Sequence, residues 1–149
     1  MKMSPQYLKA QLNMAPGKIT KDGFLGDDLR PLSDIIQKDE EVLESLGMDI
    51  DLLAAQMREL MRRGVEGLGE PITVDGKWLV KVDEARGRIP CPFEDELLRK
   101  RTLQVKNLNN QAEVIYSDVS IHLLEKHHFL QGWGSTFRLE PEMLKKVFE

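Results

Sequence analysis

Residues 70–87, EPITVDGKWLVKVDEARG, contain the pattern that decides the fold. The pair Asp75-Gly76 separates two short runs rich in β-branched and apolar residues. A two-residue type I′ turn needs positive φ at both central positions, which Asp-Gly tolerates well. Trp78, Val80 and Val82 then fall on one face of the second run, as in a strand that buries one side. The stretch predicts an antiparallel β-hairpin with one face in the core.

A second hairpin is predicted further along the chain, in residues 102–117, TLQVKNLNNQAEVIYS. Val114 and Tyr116 alternate with Glu113, and Asn109-Asn110 marks the turn. Residues 86–100, RGRIPCPFEDELLRK, are predicted to form an irregular connector between the hairpins, because each proline fixes its own φ and favours an extended residue before it.

Helices are predicted on both sides of these strands. Apolar residues recur every three or four positions from Pro31 to a stop at Gly47, and again in a second helix from Asp51 to Gly64. The connection between them is only a few residues long, which predicts a compact helical pair.

The C-terminal part predicts two more helices. One begins at Ser117 or Asp118 and runs to about His128, with Gly132 near its end, and a short one occupies residues 141–148, PEMLKKVF. The predicted fold class is therefore α+β: an N-terminal helical pair, an antiparallel sheet of about four strands from two hairpins, and a C-terminal helix packed on the sheet.

The domain organisation follows from the distribution of helix breakers. Prolines and glycines interrupt residues 1–30, which are expected to be extended or flexible with a short helix around residues 7–13. Residues 31–149 are expected to form a single α+β domain.

Composition limits the functional classes. The chain is 41% apolar and 31% charged, and no apolar run approaches the ~20 residues of a membrane span, so a soluble protein with no membrane partner is expected. No secretory signal is visible, and the single cysteine, Cys91, has no partner for an intramolecular disulfide, so the cytoplasm is the expected location. A net charge of −4 does not favour nucleic acid as a partner. A homo-oligomer is compatible with the amphipathic helices.

A metal site is the first functional hypothesis. All three histidines lie in residues 120–138, SIHLLEKHHFLQGWGSTFR. His122 and His127 point about 140° apart on a regular helix, but zinc sites accept longer spacings where a helix ends. Cys91 is the expected third ligand, with Glu94 or Asp95 as a fourth. The sequence IPCPFED around Cys91 resembles half of a zinc knuckle, although the second cysteine is missing, and zinc is the cofactor that this set predicts.

Two other interpretations use the same residues. In the structural one, His127 faces the core, His122 is solvated and Cys91 is a small buried hydrophobic residue. In the enzymatic one, Cys91 and His127 form a nucleophile–base pair, which needs an exposed thiolate and a third group to orient the imidazole. No third group is evident near either residue, so a non-enzymatic binding or regulatory module is the preferred expectation.

The sequence suggests two further candidate sites, an anion or ligand site and a nucleic-acid interface. The glycines of residues 131–138, QGWGSTFR, allow backbone amides to approach an anion or another ligand, which would be held by His128, Ser135 and Arg138. The alternative is that these glycines serve only turn geometry.

A nucleic-acid interface is the second alternative. Residues 43–64 followed by the first hairpin loosely resemble a winged helix-turn-helix, which implies base or phosphate contacts from the second helix. The candidate residues are Gln56, Arg58, Arg62 and Arg63, with Lys77 and Lys81 of the hairpin near phosphates. The chain from ITKDGFLG to GSTFRLEP also resembles small bacterial proteins of uncharacterised families, which implies no activity and no site residues.

Overall fold

The computed structural model describes residues 3–149 and has the predicted α+β architecture. Its five helices are α1 Pro5–Asn13, α2 Leu32–Ser45, α3 Ile50–Gly64, α4 Asp118–His127 and α5 Pro141–Val147. Its four strands are β1 Ile72–Val74, β2 Trp78–Pro90, β3 Leu97–Asn107 and β4 Glu113–Ser117. The predicted helical pair is formed by α2 and α3.

The sheet is an antiparallel meander in the order β1-β2-β3-β4. The predicted Asp75-Gly76 turn is confirmed, because Asp75 and Gly76 have φ values of 54° and 64° and Val74 pairs with Trp78. One face of the sheet packs against α3 and α4 in the larger hydrophobic core. Tyr116 on β4 is fully buried there, and its hydroxyl donates a hydrogen bond of 2.8 Å to the backbone carbonyl of Met57 on α3.

The connector predicted at residues 86–100 is mostly strand, so this prediction was wrong in extent. β2 and β3 stay paired as far as Pro90 opposite Leu97, with a bulge between Ala85 and Arg88. Pro90 is the last residue of its strand, where a missing N–H interrupts no further ladder bond. The irregular part shrinks to residues 91–96, and the sheet contains three hairpins instead of two.

A second, smaller core lies between α1, α2, α4 and the loop 91–96. Val119 and Leu123 of α4 face this core, whereas Ile121 and Leu124 face the sheet. α4 is therefore covered on two sides, and the loop 91–96 is held against it.

The N-terminal segment differs from the extended or flexible one expected. Within residues 3–30 the chain forms α1 and buries Ala10, Met14 and Phe24. Backbone hydrogen bonds fix the segment, since Gly132 N–H donates to the Phe24 carbonyl at 2.9 Å and Asp27 N–H donates to the Trp133 carbonyl at 2.8 Å. The domain boundary at residue 31 stays a prediction. Between residues 3 and 149, none of the helices combines the length and the apolar character that crossing a membrane requires.

Candidate metal site

The loop 91–96 is a tight turn that presents Cys91 and Asp95 on the same side. The Cys91 amide donates to the carbonyl of Glu96 at 3.0 Å, and the Glu94 amide donates back to the carbonyl of Cys91 at 2.8 Å. Glu94 takes a positive φ of 62° to close the turn. The Phe93 amide lies 3.4 Å from the Cys91 sulfur and donates to it, a contact that favours a thiolate.

Aromatic stacking and one side-chain hydrogen bond hold the loop in place. The Phe93 ring stacks on the His127 ring with centroids 3.8 Å apart and an angle of 6° between the planes. The Tyr7 ring of α1 also contacts Phe93, in an edge-type arrangement with centroids 5.8 Å apart. Asn13, at the end of α1, donates to the carbonyl of Pro92 at 2.9 Å. The N-terminal helix therefore supports the loop directly.

The helix α4 supplies the two histidines. It begins at a capping box in which Ser117 and Ser120 bond each other's backbone amides. It ends at His127, because His128 adopts the left-handed conformation with φ 55° and the Phe129 amide turns back to the Leu123 carbonyl. The predicted end at about His128 is confirmed within one residue, and His128 itself fills the capping position that glycine usually takes.

Cys91, Asp95, His122 and His127 converge on one point. Each offers one ligand atom, and these four atoms all lie within 4.8 Å of one another. The Asp95 carboxylate lies between the imidazoles, with Oδ1 2.9 Å from His122 Nε2 and Oδ2 2.8 Å from His127 Nε2. His122 and His127 are five residues apart and leave the helix in different directions. Asp95 of the loop 91–96 lies between them and contacts both.

The far side of His122 has its own partner. Its Nδ1 lies 2.9 Å from Glu96 Oε2, so the imidazole is held at both nitrogens. A carboxylate on the second ring nitrogen is the usual support of a metal-binding histidine, because it fixes the tautomer that turns the other lone pair toward the ion. Sequence reasoning missed Glu96 and Phe93, since their contacts depend on the tertiary position of the loop.

The side chains of the cluster differ in their exposure to solvent. Cys91 is fully buried, and His122, which was expected to be solvated, is only 6% exposed. That expectation was wrong because Asp95 and Glu96 of the loop 91–96 contact both ring nitrogens of His122 and cover it. The Asp95 side chain is 38% exposed, so the cluster opens to solvent on the Asp95 side.

The charges of the cluster suit an incoming cation. Burial raises the pKa of the Cys91 thiol to about 12, and the neighbouring Asp95 carboxylate adds to this rise. Partial burial opposes ionisation of Asp95, but hydrogen bonds from the thiol and both histidines hold its pKa below the usual range. Burial lowers the pKa of His127, against the opposing effect of Asp95. Near neutral pH the cluster then holds a carboxylate and a neutral His127, and a metal ion would displace the thiol proton.

The same observations bear on the enzymatic interpretation of Cys91 and His127. A nucleophilic cysteine needs a lowered pKa and access to substrate. Cys91 is fully buried with a raised pKa, and the acidic group beside its thiol is Asp95. The cysteine environment supports a ligand more than a nucleophile.

The predicted anion-binding residues each have a partner within the chain. Arg138 forms a buried ion pair with Asp39 and a second contact with Glu140. The Ser135 hydroxyl donates to Gln131 at 2.6 Å, and His128 Nδ1 lies 2.6 Å from Glu40. These contacts occupy the groups that an anion would use, and the anion site stays a prediction from sequence.

The residues predicted to contact nucleic acid from α3 are also paired. Arg58 bonds Glu125, Arg62 bonds Glu59, and Arg63 bonds Asp75, while Gln56 is half-buried. The outer face of α3 is therefore a set of internal ion pairs, and its role in nucleic-acid binding stays a prediction.

Comparisons with models of protein families, with curated proteins and with solved structures find no match to this chain. The functional assignment rests on the geometry of the cluster.

Proposed function

We propose that this chain is a zinc-binding module in which Cys91, Asp95, His122 and His127 hold one Zn²⁺ ion. The observation that carries the proposal is the convergence of four ligand atoms of the right kinds, from two separate parts of the chain, within 4.8 Å. In this proposal the chain belongs to the metal-binding proteins, and the ion that it binds is zinc.

The choice of zinc follows from the donors. One thiolate, two imidazoles and one carboxylate are a borderline-soft set that suits tetrahedral Zn²⁺, whereas Mg²⁺ and Ca²⁺ prefer oxygen donors alone. Ligand atoms around a tetrahedral zinc ion lie about 3.4 Å apart. The four ligand atoms already lie within 4.8 Å of one another, so small side-chain movements bring them to this spacing.

The role of the ion is structural. Four protein ligands fill a tetrahedral coordination sphere, which is typical of structural rather than catalytic zinc. The ion joins the loop 91–96, at the tip of the β2–β3 hairpin, to the last turns of α4. The single free cysteine is compatible with a reducing compartment, and the location we propose is the cytoplasm.

Zinc titration against a chromophoric chelator tests this function. The wild-type chain is expected to take up one zinc per molecule, and Cys91→Ser, Asp95→Asn and His127→Ala are each expected to weaken affinity at least ~10-fold, because each removes one of four ligands.

Two neighbouring residues provide matched controls. Glu94→Gln changes the adjacent acid, which pairs with Lys9, and His128→Ala changes the adjacent histidine, which pairs with Glu40. Both variants are expected to bind zinc as the wild type does. Equal losses in the controls and the ligand variants, or no uptake by the wild type, would contradict the proposal.

A further inference from the structure

The strand segments 84–90 and 97–101, which we call the basic arm, concentrate positive charge in an acidic protein. They carry five cations and one carboxylate, Glu84, so their formal charge is 5 − 1 = +4. The loop 91–96 that joins them carries three carboxylates, and the charge of the whole chain is −4. The cations are Arg86, Arg88, Arg99, Lys100 and Arg101. A cluster of positive charge on one face is the electrostatic footprint expected of a surface that binds a polyanion.

The arm also contains the arginines that the fold leaves unpaired. Seven of the nine arginines form ion pairs with carboxylates. Over residues 3–149 the two without such a pair are Arg86 and Arg88, which are exposed on the arm and lie close to each other. Lys100 on the paired strand likewise has no ion pair within the described chain.

Strand pairing places like charges against each other. Arg88 lies directly opposite Arg99 in the β2–β3 register. Like charges at opposed positions destabilise a sheet, so the fold gains nothing from this arrangement. The adjacent bulge, with Gly87 at φ 91°, brings Arg86 and Arg88 to the same short stretch of the strand edge. An anion bound between the guanidinium groups of Arg88 and Arg99 would reduce the repulsion between them.

A groove beside the arm extends the positive surface. It has a volume of about 320 Å³ and is lined by Arg88, Arg99 and Arg101 of the arm, by Arg58 of α3 and by Lys126 of α4. Three carboxylates also line the groove, and each has a partner: Asp118 bonds Arg101, Glu125 bonds Arg58 and Glu96 contacts His122, which reduces their repulsion of an incoming anion.

We propose that the basic arm and its groove bind the phosphate backbone of a double-stranded nucleic acid. Guanidinium groups match phosphate oxygens with two parallel hydrogen bonds, and two-stranded β-ribbons fit the grooves of a duplex. The arm contains no aromatic residue, so it lacks the stacking platforms that single-strand binders use. This surface is centred on the arm and shares only Arg58 with the α3 residues suggested by the winged-helix resemblance. The proposal does not depend on zinc.

Fluorescence anisotropy with short labelled DNA and RNA duplexes tests the proposal. The variant Arg86→Ala/Arg88→Ala/Lys100→Ala is expected to lose at least ~10-fold in affinity and to lower the slope of log K against log salt by up to about three, because three phosphate contacts are removed. The single variant Arg88→Glu reverses the charge at the position opposite Arg99 and is also expected to weaken binding.

The matched control removes the same charge elsewhere. Lys38, Lys145 and Lys146 are exposed and have no ion pair within residues 3–149, so Lys38→Ala/Lys145→Ala/Lys146→Ala is expected to keep most of the affinity. Circular dichroism and zinc content are measured on every variant, which separates a failure of this proposal from a failure of the zinc site. Equal losses in both triple variants, no duplex binding by the wild type, or tighter binding to a single strand would overturn the proposal.

Discussion

Ser33, the second residue of α2, is a buried side chain that the fold does not satisfy. It is 8% exposed, and its hydroxyl has no hydrogen-bond partner within residues 3–149. A buried hydroxyl without a partner costs free energy, and alanine favours a helix more than serine does. Ser33→Ala is therefore expected to raise the free energy of unfolding by about 1 kcal/mol in urea denaturation.

Ser120 is the matched control for this prediction. It is also a buried serine in the first turn of a helix, but its hydroxyl accepts from the Ser117 amide at 3.0 Å. Ser120→Ala is expected to lower the free energy of unfolding by about 1 kcal/mol. Losses of similar size in both variants would show that Ser33 has a partner after all.

The free energy of unfolding is expected to depend on pH through the carboxyl group of Asp28. It is 5% exposed; burial raises its pKa, but hydrogen bonds from Arg30 and from the Trp133 amide outweigh this and leave the pKa below its ordinary value. A carboxyl whose pKa is lowered by folding contributes stability above its unfolded pKa of about 3.9 and loses that contribution as the pH falls.

The test compares the wild type with Asp28→Asn by urea denaturation between neutral and acidic pH. The wild type is expected to be more stable by a constant amount above about pH 5, and the difference is expected to shrink below about pH 4. A difference that does not change with pH would mean that the ionised form of Asp28 is not favoured by folding.

The loop 91–96 and the last turns of α4 form the pair of elements that zinc would join. Zinc is expected to slow amide exchange of Glu94 and of His127–Phe129, because local opening of either element then requires loss of ligands. The turn at Asp75-Gly76 lies in a separate hairpin and is expected to exchange at the same rate with and without zinc. Hydrogen exchange followed by NMR, on the wild type and on Cys91→Ser, makes this comparison; slowing that persists in Cys91→Ser would place the ion elsewhere.

At the level of turns, strands and loops, the sequence predicted some elements well and others poorly. Asp75-Gly76 predicts its turn because positive φ is a local requirement that few residue pairs meet. Pro90 and Pro92 suggested a long connector because local sequence does not reveal how far pairing with β3 extends. Cys91, His122 and His127 were predicted as ligands from their chemistry, and Asp95 as one of two acids. The contacts of Glu96 and Phe93 required the position of the loop on α4.

The whole molecule is expected to gain stability from zinc. Binding to the folded state alone contributes about 2.7 kcal/mol when free zinc is 100 times the dissociation constant. The melting temperature of the wild type is therefore expected to rise with zinc and fall with a chelator, while that of Cys91→Ser stays nearly constant. A chelator that leaves the wild-type melting temperature unchanged would rule out a structural ion.

X-ray absorption spectroscopy of the zinc complex is the decisive measurement, because it counts the ligands of the ion by element. We expect one sulfur at about 2.3 Å and three nitrogen or oxygen atoms at about 2.0–2.2 Å, with the sulfur absent from the spectrum of Cys91→Ser. A wild-type spectrum without sulfur, or with six oxygen or nitrogen neighbours, would contradict the Cys91, Asp95, His122 and His127 site.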